Sequence, residues 1–265
     1  MAPDDLAAAG LRLELDDAAV VATITLDRPD VRNAQTPAMW RALGRIGDEL
    51  PESVRVVVVT GAGQSFSAGL DRTLMDPSTA PEGVESVGAL FAMSDEAMAD
   101  TIEVYQRGFT FLRDPRFISI AAVRGHAVGA GFQLALSCDL RVLADDALLC
   151  MKESALGLVP DLTGTKPLVE SVGYARALEI CATARTVGAA EAVDIGLALT
   201  AVPADELDAT VVDLVAALTA ALPGAVSETK ALLLGAAQRS LEEQRRLERV
   251  AQVRRFREVA KLLAT

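Results

Sequence analysis

Glu153 and Asp161 stand on either side of an apolar stretch that runs through Leu156, Leu158 and Val159 to Pro160. A carboxylate among apolar neighbours has a raised pKa, which suits it to take up and return a proton. The alternative for Glu153 is an ordinary surface or ion-paired carboxylate, and for Asp161 a helix cap ahead of Thr163. The 265 residues include 1 His, His126, and 3 Cys at irregular spacing, Cys138, Cys150 and Cys181. A multi-His metal site is therefore excluded, and no metal is expected. Any Ser–His–Asp machinery would have to run through His126, which lies among glycines and reads as structural. The cysteines give no disulfide framework, so a reducing cytosol is the expected compartment. Chemistry is left to carboxylates and backbone groups.

Two glycine-bent segments could supply the backbone groups. One is Gly61-Ala-Gly-Gln-Ser-Phe-Ser-Ala-Gly-Leu-Asp71, and the other is Gly125-His-Ala-Val-Gly-Ala-Gly131. Each follows an apolar run that reads as a buried strand, and each opens toward a helix. Backbone N–H groups at such places lack helical partners and can point at an anion. Two of them converging make an oxyanion hole. Leu134 stands where a dinucleotide fingerprint needs its third glycine, and no P-loop pattern occurs. Ser67 replaces the last glycine of a nucleophile elbow.

The elements that must position these groups follow from periodicity. Residues 11–15 and 20–26 read as a hairpin, and the β-branched run 54–60 as a strand buried on both faces. Further strands are expected at 118–123, 140–144 and 147–151. Thr36-Pro37 opens a helix that stops at Pro51. Helices are also expected at 95–112 and 132–137. Residues 72–95, with Pro77, Pro81, Gly83 and Gly88, read as a mobile or inserted loop. Beyond 160 the chain reads as mainly helical, at 164–172, 174–183, 188–195, 204–222, 224–238 and 240–263. The pattern implies an α/β core with a helical C-terminal region. The charges of the last helix read as a solvated face, although its apolar positions could dock on a neighbouring subunit.

With 51% hydrophobic residues the chain can bury a large core. Its net charge of −12 argues against nucleic acid and anionic membranes as partners. The acidic N-terminus does not read as a signal peptide, and no uncharged run is long enough for a transmembrane helix.

Taken together, the segments resemble the enoyl-CoA hydratase/isomerase (crotonase) superfamily. The resemblance rests on Ile24-Thr-Leu-Asp-Arg-Pro29 with Asn33-Ala34, Thr60-Gly-Ala-Gly63, Phe66-Ser-Ala-Gly-Leu-Asp71, Val123 through Asp139, and Gly188-Ala-Ala-Glu-Ala192 with Gly196-Leu197. It implies a ββα spiral core, taken as residues 1–200, and a C-terminal helical region for trimerisation, 201–265. It also implies a coenzyme A thioester as ligand, no separate cofactor, and a homotrimer or a dimer of trimers.

Carried over by position, the resemblance makes the N–H groups of Leu70 and Ala130 the oxyanion donors. The family usually has glycine at the position of Ala130. Glu153 becomes the carboxylate base, and Asp161 matches an acid of the dienoyl-CoA isomerases. The binding set is Arg28, Val31, Ala68, Asp71, Gly129 and Gln133. Arg28, with Arg32, is expected at the coenzyme phosphates, with surface solvation as the alternative. Leu74, Met75, Leu90, Phe91, Met93, Met98 and Phe109 are expected to line an acyl pocket, although core packing explains Phe109 and Phe111 equally well. Hydratases in this family hold water between two glutamates, and Gln133 takes the place of the first. The reading is therefore double-bond isomerisation of an enoyl-CoA, with hydration or non-catalytic acyl-CoA binding as alternatives.

Overall fold

The computed structural model describes residues 2–75 and 85–264. The first part of the chain forms α1 (Pro3–Ala8), β1 (Leu11–Leu15), β2 (Val21–Leu26), α2 (Pro37–Glu49) and β3 (Val56–Gly61). Next come α3 (Asp95–Thr110), β4 (Ile118–Val123), β5 (His126–Val128), α4 (Ala130–Ser137), β6 (Leu140–Ala144) and β7 (Leu148–Cys150). The remainder is α5 (Thr165–Val172), α6 (Tyr174–Thr183), β8 (Thr186–Gly188), α7 (Ala189–Asp194), β9 (Thr200–Val202), α8 (Leu207–Ala220), α9 (Pro223–Leu233) and α10 (Leu241–Leu263).

Six strands form one sheet in the order β1-β2-β3-β4-β6-β9. Only the β1–β2 pair is antiparallel. Alternate residues of a strand face opposite sides, and here both sides are covered. Val57, Val59, Ala121, Val123 and Leu143 belong to the main core with Trp40, Leu43 and Phe109. Val56, Val58, Ile120, Ala122 and Val142 belong to a second core with Leu207 and Val211 of α8. This is why the β-branched run has no polar face.

Local signals set the helices on the first side. The Thr36 hydroxyl accepts from the Met39 N–H at 3.1 Å, with Pro37 at the first helical position. Ser94 caps α3 in the same way. The two helices meet where Trp40 and Tyr105 pack at 5.1 Å between ring centroids. A second sheet, β5-β7-β8, stands beside the first. Its parallel β5–β7 pair opposes Val128 and Cys150, which brings the ends of both strands to one place.

Several expectations change. Residues 126–128 form a strand where the glycine spacing suggested only a loop. Two more three-residue strands, β8 and β9, interrupt the region read as helices. The helix α1 was not expected. Residues 72–74 and 87–92 are short 3-10 turns. Pro77, Pro81 and Gly83 lie outside the described residues. Of the expected pocket residues, Phe109 and Leu90 are buried in the core, and Phe91 and Met93 are exposed. Among the described residues no single helix is long and apolar enough to cross a membrane.

Candidate active site

The first glycine-bent segment is held by buried polar groups. Asn33, fully buried, donates from Nδ2 to the carbonyls of Ala62 (2.9 Å) and Ser65 (2.8 Å). Its Oδ1 accepts from the Arg28 N–H. Gln35 receives the Trp40 indole N–H at 2.8 Å and donates to the Ser67 hydroxyl at 3.2 Å. That hydroxyl donates to the Asn33 carbonyl and accepts the Gly69 N–H. Such satisfied buried networks hold a backbone in one place. The motif reading included Asn33 but missed Gln35 and Ser67 as supports. Their partners are distant in sequence, and no local pattern marks them.

The second segment is placed by β5. Ser67 pairs with β5 on the side away from β7, through Ser67 N–H to the His126 carbonyl (2.8 Å) and Val128 N–H to the Ser67 carbonyl (3.0 Å). His126 is thus a strand residue with a backbone role. Gly69 has φ +85° and packs so closely that a Cβ there would collide with the Val128 carbonyl oxygen. The same Cβ would stand 3.6 Å from the Ala130 nitrogen. The backbone just before Leu70 therefore abuts the start of α4. Among the described residues neither the Leu70 nor the Ala130 N–H has an acceptor. Ala130 lies within α4 and does not have positive φ, so a Cβ is tolerated where the family usually has glycine.

Glu153 lies at the same junction. The Gly129 N–H donates to the Cys150 carbonyl at 2.8 Å, and Glu153 follows in a 3-10 turn, Glu153–Leu156. A Cβ on Gly129, whose φ is +52°, would stand 3.3 Å from Glu153 Oε1. Glu153 is buried, 8% exposed, and its Oε1 accepts from Gln133 Nε2 at 2.7 Å. Its Oε2 is buried without a hydrogen-bond partner. Burial pushes the Glu153 carboxyl above the ordinary range, and the nearby Asp161 charge adds to this. The Glu153 and Lys152 backbone and the Gln133 hydrogen bond act in the opposite direction. Leu156, Leu158 and Val159, expected to shelter Glu153, are themselves exposed. An ordinary surface Glu153 is ruled out.

Asp161 is exposed as a whole, yet partial burial pushes its carboxyl up. It does not cap the following helix, because the N-cap of α5 is Gly164 with no side-chain cap. Gln133 is 1% exposed, and its carbonyl oxygen accepts from the N–H groups of Leu162 (2.9 Å) and Gly164 (3.2 Å). Its amide is therefore engaged by the protein on both ends.

The Arg28 guanidinium turns inward. It donates to the Ala34 carbonyl at 2.6 Å and to Asp71 Oδ2 at 3.0 Å. Burial pushes the Asp71 carboxyl up, but hydrogen bonds from Thr73 and Arg28 outweigh it and hold the carboxyl below the ordinary range. Arg28 thus ties Asp71, at the end of the first glycine-bent segment, to the 28–34 stretch that follows β2. Ala68 donates its N–H to the Arg32 carbonyl, the Arg32 side chain is exposed, and Val31 is 46% exposed at the rim. Among the described residues no cluster of His, Cys, Asp or Glu could hold a metal ion.

A family model for enoyl-CoA hydratase/isomerase matches residues 16–261. A peroxisomal Delta(3,5)-Delta(2,4)-dienoyl-CoA isomerase of Arabidopsis thaliana is 34% identical over 83% of this chain and 79% of its own length. A probable enoyl-CoA hydratase of Mycobacterium tuberculosis is 32% identical over 71% of this chain and 67% of its own. Among solved structures, a Thermobifida fusca YX protein of the enoyl-CoA hydratase type, in complex with acetoacetyl-CoA, is 53% identical, with a TM-score of 0.92 over 97% of this chain and 98% of that one. The same protein in complex with CoA superposes with a TM-score of 0.92 at 52% identity, over 98% of each chain. Its fold is crotonase-like, and the chain belongs to the enoyl-CoA hydratase/isomerase family.

Proposed function

We propose that this protein shifts a double bond in an enoyl-CoA thioester, with Glu153 as the proton carrier. The observation that carries this reading is a buried carboxylate, the only one among the described residues, with one oxygen unpartnered, beside the converging Leu70 and Ala130 loops. Glu153 removes a proton from C2 of a 3-enoyl-CoA. The electron pair moves into the thioester carbonyl, and the Leu70 and Ala130 N–H groups stabilise the enolate oxygen. Glu153 returns the proton at C4, which leaves the double bond between C2 and C3. One carboxylate suffices, and Gln133 cannot act as a second acid.

The ligand class is supported by the acetoacetyl-CoA and CoA complexes of the Thermobifida fusca relative. Arg32 is the better candidate for the coenzyme phosphates, because Arg28 is engaged within the loop. We also place α10 at a subunit contact, as its Leu241, Val253 and Phe256 are exposed. A homotrimer or a dimer of trimers would cover them. The three free thiols accord with a cytosolic setting.

Hydration is a second reading, favoured by Asp161, whose charge reaches Glu153. Two carboxyls in reach could serve as acid and base toward a water molecule. Assaying the purified protein with 3-enoyl-CoA and 2-enoyl-CoA separates the readings. Turnover of the 3-enoyl thioester supports isomerisation, and turnover of the 2-enoyl thioester alone supports hydration. Calorimetric binding of acyl-CoA without turnover of either would make the protein a carrier.

A further inference from the structure

The two oxygens of Glu153 are not equivalent. Oε1 accepts a hydrogen bond of 2.7 Å from Gln133, and Oε2 is buried with no partner. The orientation of the Gln133 amide is determined by its other end, which accepts from both Leu162 and Gly164 N–H groups. A flipped amide would set its NH2 against two donors and its carbonyl against a carboxylate, losing all three bonds. Gln133 therefore always presents a donor to Glu153. Its own side chain is buried, so solvent does not compete for either end. A buried acceptor left without a partner costs stability, and a Cβ on Gly129, one residue before Ala130, would stand 3.9 Å from this one.

We propose that Gln133 is a positioning residue that divides the work of the Glu153 carboxylate, holding Oε1 and leaving Oε2 to carry the proton. The proposal rests on the reading of Glu153 as the proton carrier and specifies which oxygen acts. It also gives the place of the missing glutamate a function of its own. An amide here anchors the 162–164 backbone and orients the base, where a carboxylate would compete with Glu153 for a proton.

Gln133→Glu tests this with little change in volume. The new carboxylate still accepts from Leu162 and Gly164, but it faces Glu153 with an acceptor, so the pair must share a proton. Gln133→Met removes the donor without adding charge and serves as the second variant. Two readouts are needed: kcat and KM against pH with 3-enoyl-CoA, and the titration of the Glu153 carboxyl by carbon-13 NMR, assigned with Glu153→Gln.

The expected result for Gln133→Glu is an acid limb moved up by about one pH unit or more, which is about tenfold in rate on that limb. KM should stay within about twofold, since a shift in ionisation alone leaves thioester contacts in place. Gln133→Met should move the limb in the same direction by less. A Glu153 titration unmoved in both folded variants overturns the proposal. If the titration moves but the wild type turns over no enoyl thioester, the isomerase reading fails. The proton-carrying role of Oε2 then fails with it, while the hold on Oε1 stands.

Discussion

Glu153 and Lys230 are both charged side chains taken out of water, and the fold treats them in opposite ways. The Lys230 ammonium, 5% exposed, donates to the carbonyls of Asp114 and Phe117 and to Asp139 Oδ2, each at 2.7 Å, with the Leu112 carbonyl at 3.5 Å. Asp139 in turn receives the Ser119 N–H and hydroxyl. Every proton of Lys230 has an acceptor, and the cluster locks α9 to the loop before β4 and the end of α4. Glu153 has one oxygen held and the other bare. A buried charge that only holds structure is saturated with partners, because an unsatisfied one costs free energy. A buried charge kept partly unsatisfied is ready to act on something that arrives later.

Four experiments test whether the two charges differ in this way. Glu153→Gln should lower turnover by about 10³-fold, the size of a general base contribution, and thioester affinity measured by calorimetry should persist. The same variant should melt no lower than the wild type at pH 7, because it removes a buried charge that lacks full compensation. Lys230→Met should do the reverse. It leaves the half-buried Asp139 without its cation and should cost about 3 kcal/mol, the low end for breaking a buried pair. In thermal denaturation that is a fall of about 10 °C for a domain of this size, with kcat per folded molecule near wild type.

Gly69→Ala should lower kcat/KM by about a hundredfold, the scale of losing one oxyanion donor. The alanine is strained at φ +85° and pushes the Val128 carbonyl away, which displaces the Leu70 N–H. The smallest effect is on pH. Because burial raises the Glu153 pKa, kcat/KM should fall as pH drops, with an inflection above the ordinary value of 4.5. The sign follows from the base being active only when ionised. For stability the sign is opposite. A carboxyl whose folded pKa is raised disfavours the fold once it ionises, so the stability advantage of Glu153→Gln should shrink at acid pH.

Much of this was legible in the sequence, and the limits have physical causes. The 54–60 run and the Thr36-Pro37 helix start were readable because burial on both faces and capping leave local signatures. The strands β5, β8 and β9 were not, because three residues are too few for a period; β7 is as short but sits in the unbroken apolar run 147–151, whereas a glycine, a proline or a polar residue borders each of the other three. Glu153, Leu70 and Ala130 were singled out through the family resemblance, carried over by position from motifs around them. The inward turn of Arg28 was missed, since its partner Asp71 lies 43 residues away and only the folded loop joins them. Likewise the Lys230–Asp139 pair spans 91 residues. Gln133 was read by what it lacks, a carboxylate, and the structure shows what its amide holds.

Transfer of the proton by one carboxylate can be followed with 3-enoyl-CoA deuterated at C2, incubated with the wild type and with Glu153→Gln and monitored by NMR. The expected product from the wild type is 2-enoyl-CoA with part of the deuterium delivered to C4, and almost none should form with Glu153→Gln. Conversion by Glu153→Gln at an undiminished rate would contradict transfer by Glu153.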